Sequence, residues 1–351
     1  MKIRSRAPLR IGLAGGGTDL ESYSNQFGGA VFNVTIGMYA HCTIIPTNDN
    51  MIKIYSYDNK NNLETPSVPE LPIDGDVLIL HKGVYNRIVK EFNNGEPLSF
   101  IMSTSNDAPI GSGLGTSSTM VVAILEAFNK WLSLGLSEYK KAKLAYEIER
   151  YDLKLAGGKQ DQYAAVFGGF NLMEFRTDGA VIVNSLRVDK NVISELEGSL
   201  LLYYSGVSRK SAEQQLELAK NIISRQIDNT KNKKTKTMDA MKNLKEFAYT
   251  IKDDVLIGNM DGFAECLRQS WENKKRTSSI VSNKELEKTI DYAMQNGAEA
   301  VKVSGAGGGG FLMLYADPMN RQKLINAMEM LPGKVYPVKF SKNGVESWVI
   351  D

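Results

Sequence analysis

Residues 109–118 form a glycine loop that limits the possible folds of this chain more than any other stretch. Residues 98–104 before it are apolar and suited to a β-strand, and residues 119–134 after it carry apolar side chains at helical spacing. A loop at a helix N-terminus offers unpaired N–H groups and hydroxyls to an anion. The pattern predicts a phosphate cradle, with a glycine turn and a serine cap as the alternative. The cradle residues are Pro109, Gly111, Ser112, Gly113, Leu114, Gly115, Thr116, Ser117 and Ser118.

The spacing of the loop excludes two common nucleotide-binding patterns. No lysine follows the glycines, as a Walker loop requires. The third glycine, Gly115, comes one residue too early for the dinucleotide pattern Gly-x-Gly-x-x-Gly. A dinucleotide site is therefore disfavoured.

The composition is typical of a soluble protein and excludes several kinds of site. A chain of 351 residues is expected to split into two domains, and a net charge of +2 gives no reason to expect nucleic acid or a membrane surface as a partner. Cys42 and Cys266 suit neither a zinc site nor a disulfide framework, so we expect a reducing cytoplasm. His41 and His81 are too few for a three-histidine zinc site, and no apolar stretch reaches transmembrane length.

A second glycine loop follows the strand predicted over residues 2–13. It ends in Gly17, Thr18 and Asp19. One interpretation is a tight turn in which Asp19 caps a short helix. In the other, Asp19 accepts hydrogen bonds from a polyol and Arg10 binds an anion nearby.

A third loop, residues 205–211, lies just after the domain boundary that we expect near residues 189–198. It combines a glycine and hydroxyls with two cations, Arg209 and Lys210, and it opens a predicted helix. It is either a capped helix start or a second anion site.

A glycine turn at residues 157–163 carries Asp161, with Lys159 two positions before it. A lone aspartate after a turn is usually a helix cap, but a carboxylate on a rigid turn could instead take a proton from a hydroxyl. Glu149 lies twelve residues earlier on a predicted long helix, and we expect it to face the same pocket.

The last informative stretch, residues 300–314, reads as strand, glycine turn, strand. The alternative is a loose hairpin. Because so many glycines are costly to order, we expect the turn to contact a ligand or the first loop.

Together these motifs resemble those of the GHMP kinases, the family named for galacto-, homoserine, mevalonate and phosphomevalonate kinases. The first motif covers residues 6–11 and 15–19, the second the loop at 109–118, and the third residues 302–310. The turn at 157–162 resembles the aspartate turn of the family. The resemblance spans nearly the whole chain.

This resemblance implies an α+β fold with the two-domain GHMP kinase architecture. The N-terminal domain, residues 1–190, would be like ribosomal protein S5 domain 2 and carry the ATP-binding glycine loop, and the C-terminal domain, residues 191–351, would be ferredoxin-like. The active site is expected in the cleft between them. ATP and Mg2+ are the implied cofactors, with Ser117 and Glu149 as the magnesium ligands.

The resemblance also implies roles around the acceptor. Asp161 would act on the acceptor hydroxyl, while Arg10 and Lys159 are candidates for steadying the transferred phosphoryl group. Arg209 is our candidate for the cationic pocket of a phosphorylated sugar. The residues expected to bind or enclose the sugar are Asp19, Gly17, Thr18, Arg209, Gly305 and Gly307.

The amino-acid sequences of the motifs are most similar to those of the heptose 7-phosphate kinases within this family. The expected reaction is phosphorylation of the anomeric hydroxyl of a heptose 7-phosphate, for nucleotide-activated heptose and surface polysaccharide. An L-fucokinase-like sugar kinase and a non-catalytic sensor with the same fold are the alternatives. The expected partner is a small sugar phosphate, without nucleic acid or membrane, and a homodimer is left open.

Overall fold

Two β-sheets organise the part of the chain described by the computed structural model, which comprises residues 1–58, 60–75, 78–206, 231–305 and 307–351. The first sheet contains β1 (Lys2–Ala14), β2 (Gly29–Pro46), β3 (Met51–Ser56), β4 (Asn61–Pro66), β5 (Phe100–Asn106), β6 (Phe170–Phe175), β7 (Val181–Ser185) and β12 (Glu346–Ile350). Its main path runs β12-β1-β2-β5-β3-β4, while β6 pairs with both β2 and β7.

The second sheet has four antiparallel strands from the C-terminal half. They are β8 (Leu200–Tyr204), β9 (Ala300–Val303), β10 (Phe311–Tyr315) and β11 (Lys334–Pro337), in the order β11-β8-β10-β9. Nearly every residue of these strands except β11 is buried, which explains their continuous apolar sequences.

Helices cover both sheets. They are α1 (Glu21–Phe27), α2 (Ile79–Phe92), α3 (Thr116–Trp131), α4 (Glu138–Glu147), α5 (Gln160–Phe167), α6 (Lys190–Ser199), α7 (Lys231–Ile257), α8 (Met260–Lys275), α9 (Lys284–Gln295) and α10 (Pro318–Met328). Side chains that accept from backbone N–H groups fix several starts, for example Ser137 before α4 and Asn283 before α9. Among the described residues, no helix combines the length and apolarity that crossing a membrane requires.

Strand β1 connects the two halves of the molecule. Leu9, Ile11 and Leu13 are fully buried in a core that also contains Leu202 of β8 and Phe311 of β10. The start of β1 packs instead on the core beneath α3, to which Ile3 belongs. The end of β1 therefore brings its own backbone close to the second sheet.

Pro8 occupies an irregular position within β1. The strand lies inside the sheet, between β12 and β2, and its register with β2 shifts between Pro8 and Arg10. Because proline cannot donate to the ladder, this irregular position accommodates it.

Three expectations need correction. Residues 346–350 form β12 and pair with β1, so a contiguous second domain over residues 191–351 does not describe the sheets. The expected boundary region near residues 189–198 is largely a helix, α6, rather than a linker. The long helix predicted up to residue 155 stops at Glu147 and continues as one π-helical turn, Ile148–Asp152.

Candidate active site

The glycine loop curves over the start of α3. Gly115 is the N-cap of this helix at φ +80° and makes no side-chain cap, so the serine-capped turn is not what is observed. Gly111 and Gly113 also have positive φ, which glycine adopts without strain. Arg10 N donates to Leu114 O at 3.2 Å, which ties the loop to β1.

Asp161 lies directly beneath this loop, in the first turn of α5. Its Oδ1 accepts from Arg10 Nε at 2.8 Å and lies 2.6 Å from Arg10 Nη2. Arg10 is buried, and its Nη1 donates to Gly113 O at 2.8 Å. A Cβ added at Gly115 would lie 3.2 Å from the Asp161 carboxyl carbon. One guanidinium therefore fixes the carboxylate relative to the loop.

A second carboxylate, Glu149, faces the loop from the π-helical turn. Ser118 Oγ donates to Glu149 Oε1 at 3.0 Å, and Gln162 Nε2 donates to both Ser118 Oγ and Glu149. Burial raises the pKa of the Glu149 carboxyl, opposed by Arg150, whose Nη1 lies 3.7 Å from Glu149 Oε1. The π turn supports this placement, since such turns often occur at functional sites.

The hydroxyl that contacts Glu149 is not the predicted one. Ser117 is exposed and lines the loop cavity, whereas Ser118 is buried against the carboxylate. Successive residues of a helix point about 100° apart, which places Ser118 against the carboxylate and Ser117 toward the cavity.

Two cavities meet at Asp161. The loop cavity, on the α3 side, is lined by Gly111, Gly113, Gly115, Thr116, Ser117, Ser118, Glu149 and Asp161. The acceptor cavity, between the two halves, is lined by Gly17, Asp19, Asp161, Lys274 and Lys302 among others. Arg10, Arg150 and Gly305 also line both. The carboxylate of Asp161 thus lies where the two cavities adjoin.

Asp19 enters the acceptor cavity under tight constraint. Its Oδ1 accepts from Gly17 N at 2.9 Å, and its Oδ2 accepts from Gln160 N at 3.1 Å. A Cβ at Gly158 would overlap Asp19 Oδ2 at 1.8 Å, so a glycine is needed there. Asp19 does not cap α1, whose N-cap is Leu20.

Two predicted site residues point elsewhere. The Thr18 hydroxyl is fully buried and bonds to the backbone of Gly15 and Ala30. Lys159 Nζ lies 3.5 Å from Glu21 Oε1 and 5.5 Å from the centre of the Tyr146 ring. Neither residue lines either cavity, so their expected roles at the sugar and the phosphoryl group are corrected.

Some of the remaining predicted site residues line a cavity, and others pack behind the residues that do. Gly305 contacts the first loop, since its added Cβ would lie 2.7 Å from Gly113 O, and Ser304 Oγ donates to the same oxygen. Gly307 is not part of either lining but packs on Val281, which lines the acceptor cavity. Leu114 and Ser112 are buried, and Pro109 is exposed beside the loop. Arg209 and Lys210 lie outside the described residues.

Sequence reasoning missed Lys274 and Lys302, both buried in the acceptor cavity. Burial lowers the pKa of Lys274 to about 8 and that of Lys302 to about 7. Lys302 is part of the third glycine motif, so the sequence did indicate that it lies near the site. Lys274 comes from α8, whose sequence gives no sign that its end reaches β1.

A third cavity opens on the other side of the loop, where Thr116 and Ser117 also line it. Asn106 Nδ2 donates to Asp58 Oδ2 at 2.9 Å, which leaves Asn106 Oδ1 buried without a hydrogen-bond partner in the described part of the chain. His81 Nε2 lies 2.8 Å from Thr104 Oγ1, and its Nδ1 is unpartnered within the same part. Burial lowers the pKa of His81 to about 4.

Comparisons with known proteins identify the family of the chain. Residues 80–169 match the family model described as GHMP kinases N terminal domain, and residues 240–332 match GHMP kinases C terminal. The chain is 44% identical to a D-glycero-alpha-D-manno-heptose 7-phosphate kinase of Campylobacter jejuni, over 99% of both chains. It is 26% identical to an L-fucokinase/L-fucose-1-P guanylyltransferase of Bacteroides fragilis, over 90% of this chain and 35% of that protein.

A solved structure is similar over the same length. A D-glycero-D-manno-heptose 1-phosphate kinase from Bacteroides thetaiotaomicron superposes with a TM-score of 0.83 at 43% identity, covering 99% of each chain. This likeness confirms the two-domain fold of mixed α and β content that the motifs predicted. The names of these two heptose kinases differ in the position of the phosphate on the sugar, which is 7 in one and 1 in the other.

Proposed function

Because this chain belongs to the GHMP kinase family, we propose that it is an ATP-dependent sugar kinase acting on the anomeric hydroxyl of D-glycero-D-manno-heptose 7-phosphate, with the 1,7-bisphosphate as product. One observation carries the proposal: Asp161 lines both the loop cavity and the acceptor cavity. A carboxylate at that junction has the donor phosphate on one side and the acceptor hydroxyl on the other. Phosphoryl transfer depends mainly on such positioning and on stabilisation of charge.

The side chains divide the work between the two cavities. Backbone N–H groups of the loop and the start of α3 bind the triphosphate. Asp161 accepts the proton of the anomeric hydroxyl, which is more acidic than an ordinary alcohol. Arg10 holds Asp161 against the loop and brings positive charge to the point where the phosphoryl group passes. Asp19, fixed by two N–H donors, binds a sugar hydroxyl.

The oxygen-rich cluster beside the loop fits Mg2+. Magnesium prefers oxygen ligands, and Glu149 and Ser118 supply two within 3.0 Å of each other. Gln162 Oε1 is buried there without a hydrogen-bond partner in the described part of the chain. We propose Glu149 and Ser118 as the residues that hold the ion. When bound, magnesium neutralises phosphate charge and orients the triphosphate.

The third cavity suits the base of ATP. It adjoins the loop cavity through Thr116 and Ser117, as a nucleoside joined to loop-bound phosphates requires. The unpartnered Asn106 Oδ1 is an acceptor, so it would pair with the amino group of adenine and oppose the carbonyl oxygen of guanine. This arrangement supports ATP over GTP as donor.

The direct test is ADP release with Mg2+, ATP and a panel of acceptors: heptose 7-phosphate, heptose 1-phosphate, L-fucose and galactose. Turnover is expected with heptose 7-phosphate, and phosphorus NMR should show a new phosphate at C1. Preference for L-fucose would support the fucokinase-like alternative. Binding of ATP and sugar without turnover would support the non-catalytic sensor.

The role of Asp161 is tested by Asp161→Asn, which preserves shape and can still accept from Arg10. We expect kcat to fall about 10²–10⁴-fold, the usual contribution of a general base, with ATP affinity retained. Asp178→Asn, in the exposed turn between β6 and β7, is the matched control. Near wild-type turnover in the Asp161 variant would contradict the assignment.

The product, a sugar bisphosphate activated at C1, fits a role in supplying nucleotide-activated heptose for surface polysaccharide. We further propose a cytoplasmic location. The same panel assayed in extracts, with and without this protein, would show whether heptose bisphosphate formation depends on it.

A further inference from the structure

Two lysines with buried ammonium groups line the acceptor cavity. Lys274 comes from the end of α8 and Lys302 from β9, and each is less than a tenth exposed. Both line the cavity that contains Asp161. The Lys274 charge is among the causes that lower the pKa of Lys302.

Neither lysine forms an ion pair with a carboxylate among the described residues, although the Asp19 charge acts on Lys274 and opposes the lowering of its pKa. Lys274 Nζ donates to Gly16 O at 2.8 Å, and Lys302 Nζ donates to Gly12 O at 3.0 Å and Leu13 O at 2.6 Å. Within the described part of the chain, no carboxylate oxygen comes within ion-pair distance of either. An ammonium has three donors, so these bonds leave two on Lys274 and one on Lys302.

The whole cavity carries an excess of positive charge. Its lining has four cationic side chains, Arg10, Arg150, Lys274 and Lys302, against two carboxylates, Asp19 and Asp161. Arg10 is paired with Asp161, and Arg150 lies next to Glu149. Buried unpaired cations are costly, so the site is built for an incoming anion. Beyond these two pairs, Lys274 and Lys302 face only the Asp19 carboxylate among the lining residues, an excess of one positive charge when both lysines are protonated.

We propose that Lys274 and Lys302 form the subsite for the phosphate group that the acceptor sugar already carries, an inference that rests on the proposed phosphosugar kinase activity. Charge-assisted hydrogen bonds from the three remaining donors bind the phosphate oxygens. The subsite selects phosphorylated sugars over free sugars. It lies among described residues and does not require the loop at residues 205–211.

The substitutions Lys274→Gln and Lys302→Gln remove the charge but keep an N–H donor for the carbonyls of β1 and its turn. We expect KM for heptose 7-phosphate to rise at least about tenfold, as for a lost charge-assisted bond, while KM for ATP changes less than about twofold. The kcat/KM for unphosphorylated heptose should fall by a smaller factor than the kcat/KM for heptose 7-phosphate, because the free sugar carries no phosphate for the subsite to bind. Lys275→Gln is the matched control, since this neighbouring lysine pairs with Glu272 and Glu287 outside the cavity.

If the lysines only join the two halves of the molecule, the substitutions would raise KM for heptose 7-phosphate and for unphosphorylated heptose by the same factor. That result would overturn the proposal. Unchanged constants for the phosphorylated sugar would also overturn it. Both outcomes are assessed only in variants whose circular dichroism spectrum and melting temperature match those of the wild type.

A binding measurement without ATP separates this proposal from the kinase function. Inorganic phosphate should raise the melting temperature of the wild type more than chloride does at equal ionic strength. The rise caused by phosphate should be smaller in the Gln variants. Phosphate binding lost in the variants, together with no turnover of any sugar by the wild type, would uphold the subsite and refute the kinase function. Turnover of heptose 7-phosphate without any effect of phosphate on the wild type would refute the subsite alone.

Discussion

Replacing Gly305 by alanine should separate the two glycine loops that meet at the active site. Gly305 has φ +72°, and an added Cβ would lie 2.7 Å from Gly113 O and 2.9 Å from Gly113 Cα. Ordinary contact begins at 3.4 Å, so the loops must move apart by about 0.7 Å, the difference between 3.4 and 2.7 Å. Both neighbours are backbone atoms, and no side-chain rotation can relieve the contact.

Two separate costs follow from this change. The positive φ disfavours any residue with a Cβ by about 1–2 kcal/mol, which lowers the free energy of unfolding. The displacement acts on catalysis, because Gly113 O also accepts from Arg10, which holds Asp161. A misplacement of about 1 Å can cost 10²-fold in rate, so we expect kcat/KM to fall by about 10²-fold.

The control is Gly179→Ala, in the exposed turn between β6 and β7. Gly179 has a similar φ of +85°, but its added Cβ meets nothing within 4 Å. Urea unfolding should show a comparable loss of stability in both variants, and ADP release should show lost kcat/KM in Gly305→Ala alone. Wild-type kcat/KM in a folded Gly305→Ala protein would refute the idea that this contact sets the geometry of the site.

Three further predictions concern the cluster beside the loop and the third cavity. Ser118→Ala should raise the Mg2+ concentration needed for half-maximal activity about tenfold, whereas Ser117→Ala should not, and equal effects in Mg2+ titrations would contradict the choice of hydroxyl. Because the pKa of His81 is about 4 when folded and 6.5 when free, protonation favours the unfolded chain, and stability should fall by up to about 3 kcal/mol from pH 6.5 to pH 4. Urea unfolding of His81→Gln should show a weaker dependence over that range, and an unchanged one would contradict the assignment. Asn106→Ala should reduce the preference for ATP over GTP, measured as the ratio of kcat/KM values, and an unaltered ratio would show that this amide does not read the base.

The sequence was informative where chemistry depends on the backbone. The glycine loop, its helix and the aspartate turn were recognisable because glycine spacing and apolar period are local properties. Side-chain direction was harder to predict. Whether Ser117 or Ser118 faces Glu149 depends on how α3 packs, and Lys159 points to Glu21 because α1 lies there.

Contacts between segments that are distant in the chain could not be predicted from local sequence patterns. Lys274 reaches Gly16 across 258 positions of the chain, and no periodicity in α8 announces that contact. The same applies to β12, whose short, half-exposed sequence is identified as part of the first sheet only by its partner.

The pairing of β12 with β1 sets an order for biosynthesis. Lys2 lies opposite Ile350, so β1 completes its pairing in the sheet only once β12, far along the chain, has been made. Until then one edge of β1 stays open to neighbouring nascent chains, a situation that chaperones relieve. Deletion of residues 346–350 would therefore leave that edge uncovered, even though it removes no residue lining the two cavities at Asp161.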